Sequence, residues 1–203
     1  MNGDGRAPTR AAVLELMDEQ VVVKEAYVFL DEKRLLLAAE LLRQLHRYQQ
    51  LSQELGELHT RARDAMQAAV GHHGLNGLQV YPAGTMENAE WVQTTRNFMG
   101  VTLTETELKA SDNDAVAAPA VYASAAAERC RQLFRNIVIN SAVLAGVSGN
   151  LHRLLAEYRV TERRSRALEN IILPEIDQAL YEMSSHLEEL DLEDAIRVHL
   201  QSK

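Results

Sequence analysis

Three kinds of side chain in this sequence could do chemistry: histidines that bind metals, one thiol, and a cluster of arginines. His72-His73 is the only histidine pair, and adjacent residues in a glycine-containing stretch do not converge on one ion, so a solvated loop is the expected reading. A di-iron site in a helical bundle needs Glu-x-x-His pairs, and none of the seven histidines has a Glu three residues before it. Glu182 and His186 lie four apart on one helix face, the spacing of an ordinary surface contact. There is no Gly-x-x-x-x-Gly-Lys-Ser/Thr loop to cradle a phosphate. Cys130 has no second cysteine to pair with, which fits a reducing compartment and a small core side chain. Nothing sets a nucleophile beside a base. The sequence therefore predicts no catalytic site, no cofactor and no metal. Left over are Arg163, Arg164 and Arg166, with Glu169 close behind. Exposed ion pairs are worth about 1 kcal/mol or less each, so these side chains suit either a solvated face or a collar of weak, interchangeable contacts.

The elements that carry them are helical. The chain has 203 residues, 46% hydrophobic and 25% charged, with only 5% aromatic. Leu, Ala and Glu abound and proline is scarce, which points to long helices packed side by side. The net charge of −8 repels phosphate backbones and argues against nucleic acid as a partner. No apolar leader opens the sequence and no window is long and apolar enough to span a bilayer, so direct membrane insertion is not expected.

The chain divides into three zones. Residues 8–70 read as one helix, about 90 Å long at 1.5 Å per residue. Its stripe runs through Leu41, Leu45, Tyr48, Leu51, Leu55, Leu58, Ala62, Ala65 and Ala69. Val13 to Ala39 is apolar on more than one side and is expected to be more enclosed. Residues 71–119 hold five of the ten glycines and read as a small, partly β insert. Leu78 to Tyr81 and Asn97 to Thr104 are its expected extended segments. Thr104 to Leu108 and Ser111 to Asp114 read as turn or loop. Residues 120–203 form the second helix, with Phe134, Ile137, Leu144, Leu151, Leu155 and Tyr158 on its stripe. Leu168, Ile171, Leu180, Met183, Leu187 and Leu190 continue that stripe past Pro174. A proline inside a helix costs about 3 kcal/mol and bends it, so Pro174 is the expected kink. Residues 175–194 carry eight acidic residues. Two stripes of this length bury each other when the helices run antiparallel, because the insert joins the end of one to the start of the other. The expected fold is mainly α: a long antiparallel two-helix coiled coil with the insert between its helices.

Ordered motifs at both ends resemble one family. Pro8-Thr9-Arg10, then Lys33-Arg34, then Arg163-Arg164, Ala167-Leu168-Glu169 and Pro174 together resemble the D subunit of the V-type and A-type rotary ATPases. Leu35, Ser165 and Arg166 depart from that pattern, and Asn97 to Val101 is similar to a family segment before the loop. The tail carries only Arg197 and Lys203 after its acidic run, where family tails are richer in basic residues.

The resemblance implies a non-catalytic central-stalk rotor shaft. It would lie on the cytoplasmic side, peripheral to the membrane, with the insert facing the membrane. The implied partners are the catalytic and regulatory subunits of the soluble ATPase ring, a small central-stalk subunit and an adaptor on the membrane ring. Arg163, Arg164, Arg166 and Glu169 are then the expected bearing contacts, and rotation couples ATP synthesis or hydrolysis to proton or sodium transport. A coiled-coil adaptor or tether with the insert as docking head explains the periodicity equally well, though not the ordered motifs.

Overall fold

A computed structural model describes residues 9–79, 81, 86, 89–109 and 122–201. The chain is mainly helical. Helix α1 spans Arg10–Gln79, strands β1 and β2 span Glu90–Phe98 and Val101–Lys109, helix α2 spans Ala125–Ala167, and α3 spans Leu173–Gln201. A π-helical turn, Leu168–Ile172, joins α2 to α3. Pro8 and Ser111 to Asp114 lie outside the described residues. By its contacts the chain divides into two compact units. The terminal unit combines the chain before Leu37 with the chain from Tyr158 onward, and the hairpin unit holds Leu37–Glu157.

In the terminal unit, Thr9 starts α1. Its Oγ1 accepts the Ala12 N–H at 3.2 Å and its carbonyl accepts the Val13 N–H at 3.1 Å, satisfying donors that a helix start leaves free. The helices run antiparallel here. Arg10 meets Asp191 at 2.9 Å, and Gln20 Nε2 donates to Asp177. Ala12, Leu16, Thr161, Ser165 and Ile176 are buried between them. Small side chains dominate this seam, as the aromatic-poor composition requires. The residues around it correct one expectation. Leu14, Val21, Val22, Val28, Phe29 and Leu35 are all more than half exposed, because a two-helix unit can cover only one face of α1.

In the hairpin unit, Leu37, Ala62, Ala65 and Ala69 of α1 are buried with Ala127, Ile137, Ala142, Val147 and Leu154 of α2. Among the described residues the seam is not wholly apolar: Glu40, Gln44 and Asn150 are 6%, 4% and 2% exposed, while Leu45 is 40% exposed. Leu45 fits the three-and-four series through Leu41 and Tyr48 as Gln44 fits the one through Leu37 and Tyr48, so spacing alone does not choose between them.

Strands β1 and β2 form an antiparallel hairpin in which Phe98 pairs with Val101 and Trp91 with Leu108. Met99 and Gly100 make the turn, with φ of 51° and 86°, the two positive values that match the twist of a two-residue hairpin. Asn97 Oδ1 accepts the Gly100 N–H at 3.1 Å. Asn97 to Thr104 is thus a strand end, a turn and a second strand rather than one extended run. Thr104 to Leu108 is strand, not loop, since alternation of Thr with Glu and Leu is a period-two pattern. Leu78 and Gln79 end α1 instead of opening a strand. The helix runs past Gly71 and breaks its conformation only at Gly74, φ 68° and ψ 167°, values that a residue with a Cβ adopts at a cost.

The hairpin is clasped to both helices. Asn150, 2% exposed on α2, accepts the Thr104 N–H at 2.8 Å and donates to the Thr104 carbonyl at 2.9 Å. Arg153 donates to Asn150 Oδ1 at 2.7 Å and to Thr104 Oγ1 at 3.0 Å. One side-chain amide thus finishes the outer edge of β2, which water would otherwise have to satisfy. Thr106 Oγ1 donates to the Ala142 carbonyl at 2.8 Å, and Gly146 lies so close to Thr106 that a Cβ there would collide with its hydroxyl. On the α1 side, Arg96 donates to Glu40 at 2.7 Å, and Arg47 lies 3.4 Å from Glu105.

Candidate functional site

The stretch from Thr161 to Pro174 separates into an inner and an outer face. Thr161 and Ser165, one helical turn apart, are each 1% exposed. Arg163, Arg164 and Arg166 point away from them and are exposed. Their local partners are weak. Arg163 Nε donates to the Arg159 carbonyl at 3.4 Å, and Arg166 pairs with Glu162 at 2.7 Å with its side chain 66% exposed. These pairs leave the guanidinium groups open to other acidic groups, at a worth of about 1 kcal/mol or less each.

Glu169 does not join the arginines. Its carboxylate bonds Tyr27 across the unit, and that negative charge, ahead of burial, raises the tyrosine hydroxyl above its ordinary value of 10.0. The resemblance groups Glu169 with the arginines as an expected bearing contact. At a spacing of four Glu169 continues the line of Thr161 and Ser165, which lie buried against α1.

Pro174 does not end the helix. It has no N–H to give to the residue 170 carbonyl, and its ring crowds that carbonyl. The π turn stands immediately before it, and the Leu173 N–H reaches back to the Leu168 carbonyl, a bond across five residues that widens the helix where a proline has already removed one.

At the other end of the chain, Thr9 is the helix cap and Arg10 holds Asp191. Arg34 pairs with Asp31 at 2.6 Å, and Lys33 is half-buried on α1. Two of these motif positions therefore have local structural work, capping the helix and tying its start to α3. His72 and His73 lie on α1, not in a loop. His73 Nε2 meets Ser124 Oγ at 2.6 Å, and Ser124 Oγ also accepts the Ala127 N–H at the start of α2. His186 pairs with Glu189 at 3.5 Å rather than with Glu182. Cys130 is half-buried, and burial raises its thiol above the ordinary value. Among the described residues, no group of three or more His, Cys, Asp or Glu side chains is placed to hold a metal ion. Among the same residues, no helix is long and apolar enough to cross a membrane.

Among its described residues the hairpin unit carries one buried charge. Glu40 is 6% exposed. Burial alone would raise its carboxyl. Hydrogen bonds from Arg43 and Gln44 and the charges of Arg43 and Arg96 outweigh that and hold it below 4.5. A buried carboxylate that ties a hairpin to a helix through arginine is a structural clasp.

The largest feature that the motifs did not announce is apolar. Besides the α1 residues named above, Leu192, Ile196, Val198 and Leu200 on α3 are each at least 61% exposed. The terminal unit thus exposes far more large apolar side chains than the few scattered ones a monomer normally leaves in water. The signal was legible as the many-sided apolarity of Val13 to Ala39. In the hairpin unit a second apolar surface, a groove of about 390 Å³, is lined by Leu41, Leu42, Leu45, Tyr48, Leu151 and Leu155 among others.

The chain matches the family model of the ATP synthase D subunit over residues 12–201. It is similar to the V-type ATP synthase D subunit of Thermotoga neapolitana, 25% identical over 192 residues, covering 95% of this chain and 94% of that one. It is also similar to the A-type ATP synthase D subunits of Thermococcus kodakarensis and Pyrococcus abyssi, 28% and 29% identical over 94% of this chain and 90% of each relative.

Proposed function

Because this chain belongs to the ATP synthase D-subunit family, we propose that it is the non-catalytic central rotor shaft of a V/A-type ATP synthase. As the shaft it couples ATP synthesis or hydrolysis in the soluble ring to proton or sodium transport across the membrane. The observation that carries this reading is the apolar surface of the terminal unit. Leu14, Val22, Phe29 and Leu35 of α1, with Leu192, Ile196 and Leu200 of α3, stand 61–70% exposed. So many large apolar side chains in water mark a surface that other chains cover. Both chain ends contribute to it, which supports their enclosure within the ring of catalytic and regulatory subunits.

On this reading Arg163, Arg164 and Arg166 face acidic groups of the surrounding ring. No single pair holds them strongly, so the shaft can turn past successive subunits without locking. The hairpin unit faces the membrane side, where its partners are the small central-stalk subunit and the adaptor on the membrane ring. The shaft lies on the cytoplasmic side and reaches the membrane through that adaptor.

Co-expression with the catalytic and regulatory subunits of the same source, followed by native mass spectrometry, tests the assignment. One copy per ring of three catalytic and three regulatory subunits is expected. A stable homo-oligomer that ignores the ring would instead make the chain a coiled-coil tether.

A further inference from the structure

The π turn sets the packing of α3. In the terminal unit the seam reaches Tyr158, Thr161 and Ser165 at spacings of three and four. Continued at that spacing through an uninterrupted helix, it would pass through Glu175, Glu182 and His186. Those three are exposed. The seam instead runs one residue later, through Ile176, Met183 and Leu187. Ile176 is 7% exposed, and the other two are half-buried. One π turn lengthens a helix by one residue without rotating the segment beyond it. Each extra residue in an α-helix would turn the next segment by about 100°.

We infer that Leu168–Ile172 holds a one-residue skip that sets the register of α3. It keeps Glu175, Glu182 and His186 outside and the apolar residues on the seam. Pro174 explains its position, because the helix has already lost a hydrogen bond there. The skip is the helical analogue of a bulge in a sheet, and a shaft built on a repeating seam has to absorb an odd residue somewhere.

The inference makes an unusual demand: one particular residue can be deleted from the middle of a helix. Ile171 is 54% exposed and packs little. Deleting it together with Pro174→Ala should leave a continuous α-helix with Ile176, Met183 and Leu187 still on the seam. Deleting Gln178, also exposed, should rotate the rest of α3. The readouts are the thermal midpoint of the full chain and the yield with which a short bis-maleimide cross-links an Arg10→Cys/Asp191→Cys pair, in a Cys130→Ser background. Arg10 and Asp191 touch in the parent, so the pair reports register directly. The Ile171 deletion with Pro174→Ala should keep the midpoint within about 3 °C and the yield within about twofold. The Gln178 deletion should lower the midpoint by about 10 °C or more and the yield at least fivefold. Equal losses in both deletions would overturn the inference, as would a Gln178 deletion that behaves like the parent.

Discussion

Removing the Asn150 amide tests the clasp between hairpin and helix. Asn150→Ala takes away the one group that satisfies both the N–H and the C=O of Thr104, at 2.8 and 2.9 Å. Thr104 is itself 8% exposed, so water replaces the amide poorly. Leaving a buried donor or acceptor unpaired costs about 1–3 kcal/mol. With two orphaned groups and partial hydration of each, the expected loss is about 3 kcal/mol. The bond from Arg153 adds little, since that side chain can turn to solvent. Asn150→Asp should cost less than Asn150→Ala at neutral pH: it still accepts from the Thr104 N–H and from Arg153, and only the donor to the Thr104 carbonyl is gone. Urea unfolding gives the free energies. Amide exchange at Thr104 and along β2 gives the local effect, with the hairpin opening before the helices do. A change below about 0.5 kcal/mol for Asn150→Ala, the range of ordinary surface substitutions, would show that the amide does not hold the hairpin.

The other predictions concern the same clasp and the collar. Glu40 has its carboxyl held below 4.5, so its stabilisation is fully present above pH 4.5 and is lost as the pH falls through its lowered folded value. Glu40→Gln should therefore be less stable than the parent at neutral pH, with the two converging in acid; parallel urea midpoints down to about pH 3 would refute this. Gly146→Ala should destabilise the chain although alanine favours helix by about 1 kcal/mol, because the new methyl meets Thr106; an increased thermal midpoint would contradict that packing. Arg163→Ala with Arg164→Ala should change folding stability by less than about 1 kcal/mol and reduce ATP-driven ion transport by the assembled complex. Unchanged turnover and coupling in that variant would remove the arginines from the bearing.

Much of the fold could be read from spacing. Ala62, Ala65 and Ala69 lie buried where the stripe placed them, since small residues repeated at three and four leave few alternatives. Elsewhere apolarity and position parted company. Leu45 is more hydrophobic than Gln44, yet the seam takes Gln44, whose amide donates to Glu40 at 2.9 Å. The polar alternation in β2 hid a strand, because four of its residues are buried only through contacts with helices distant in sequence. Glu169 continues the line of Thr161 and Ser165 at a spacing of four, but its partner Tyr27 lies far away in the sequence. Pro174 marked the place without giving the form. The apolar faces of the terminal unit were visible as composition, but composition does not distinguish a side covered by the chain itself from one left for a partner.

The central claim is mechanical, and rotation tests it most directly. With the catalytic ring fixed to a surface and a bead attached through Met99→Cys at the hairpin turn, in a Cys130→Ser background, ATP should drive the bead in one direction. It should pause three times per turn, as a threefold ring requires. A bead that only fluctuates while the ring hydrolyses ATP at its normal rate would contradict the shaft assignment.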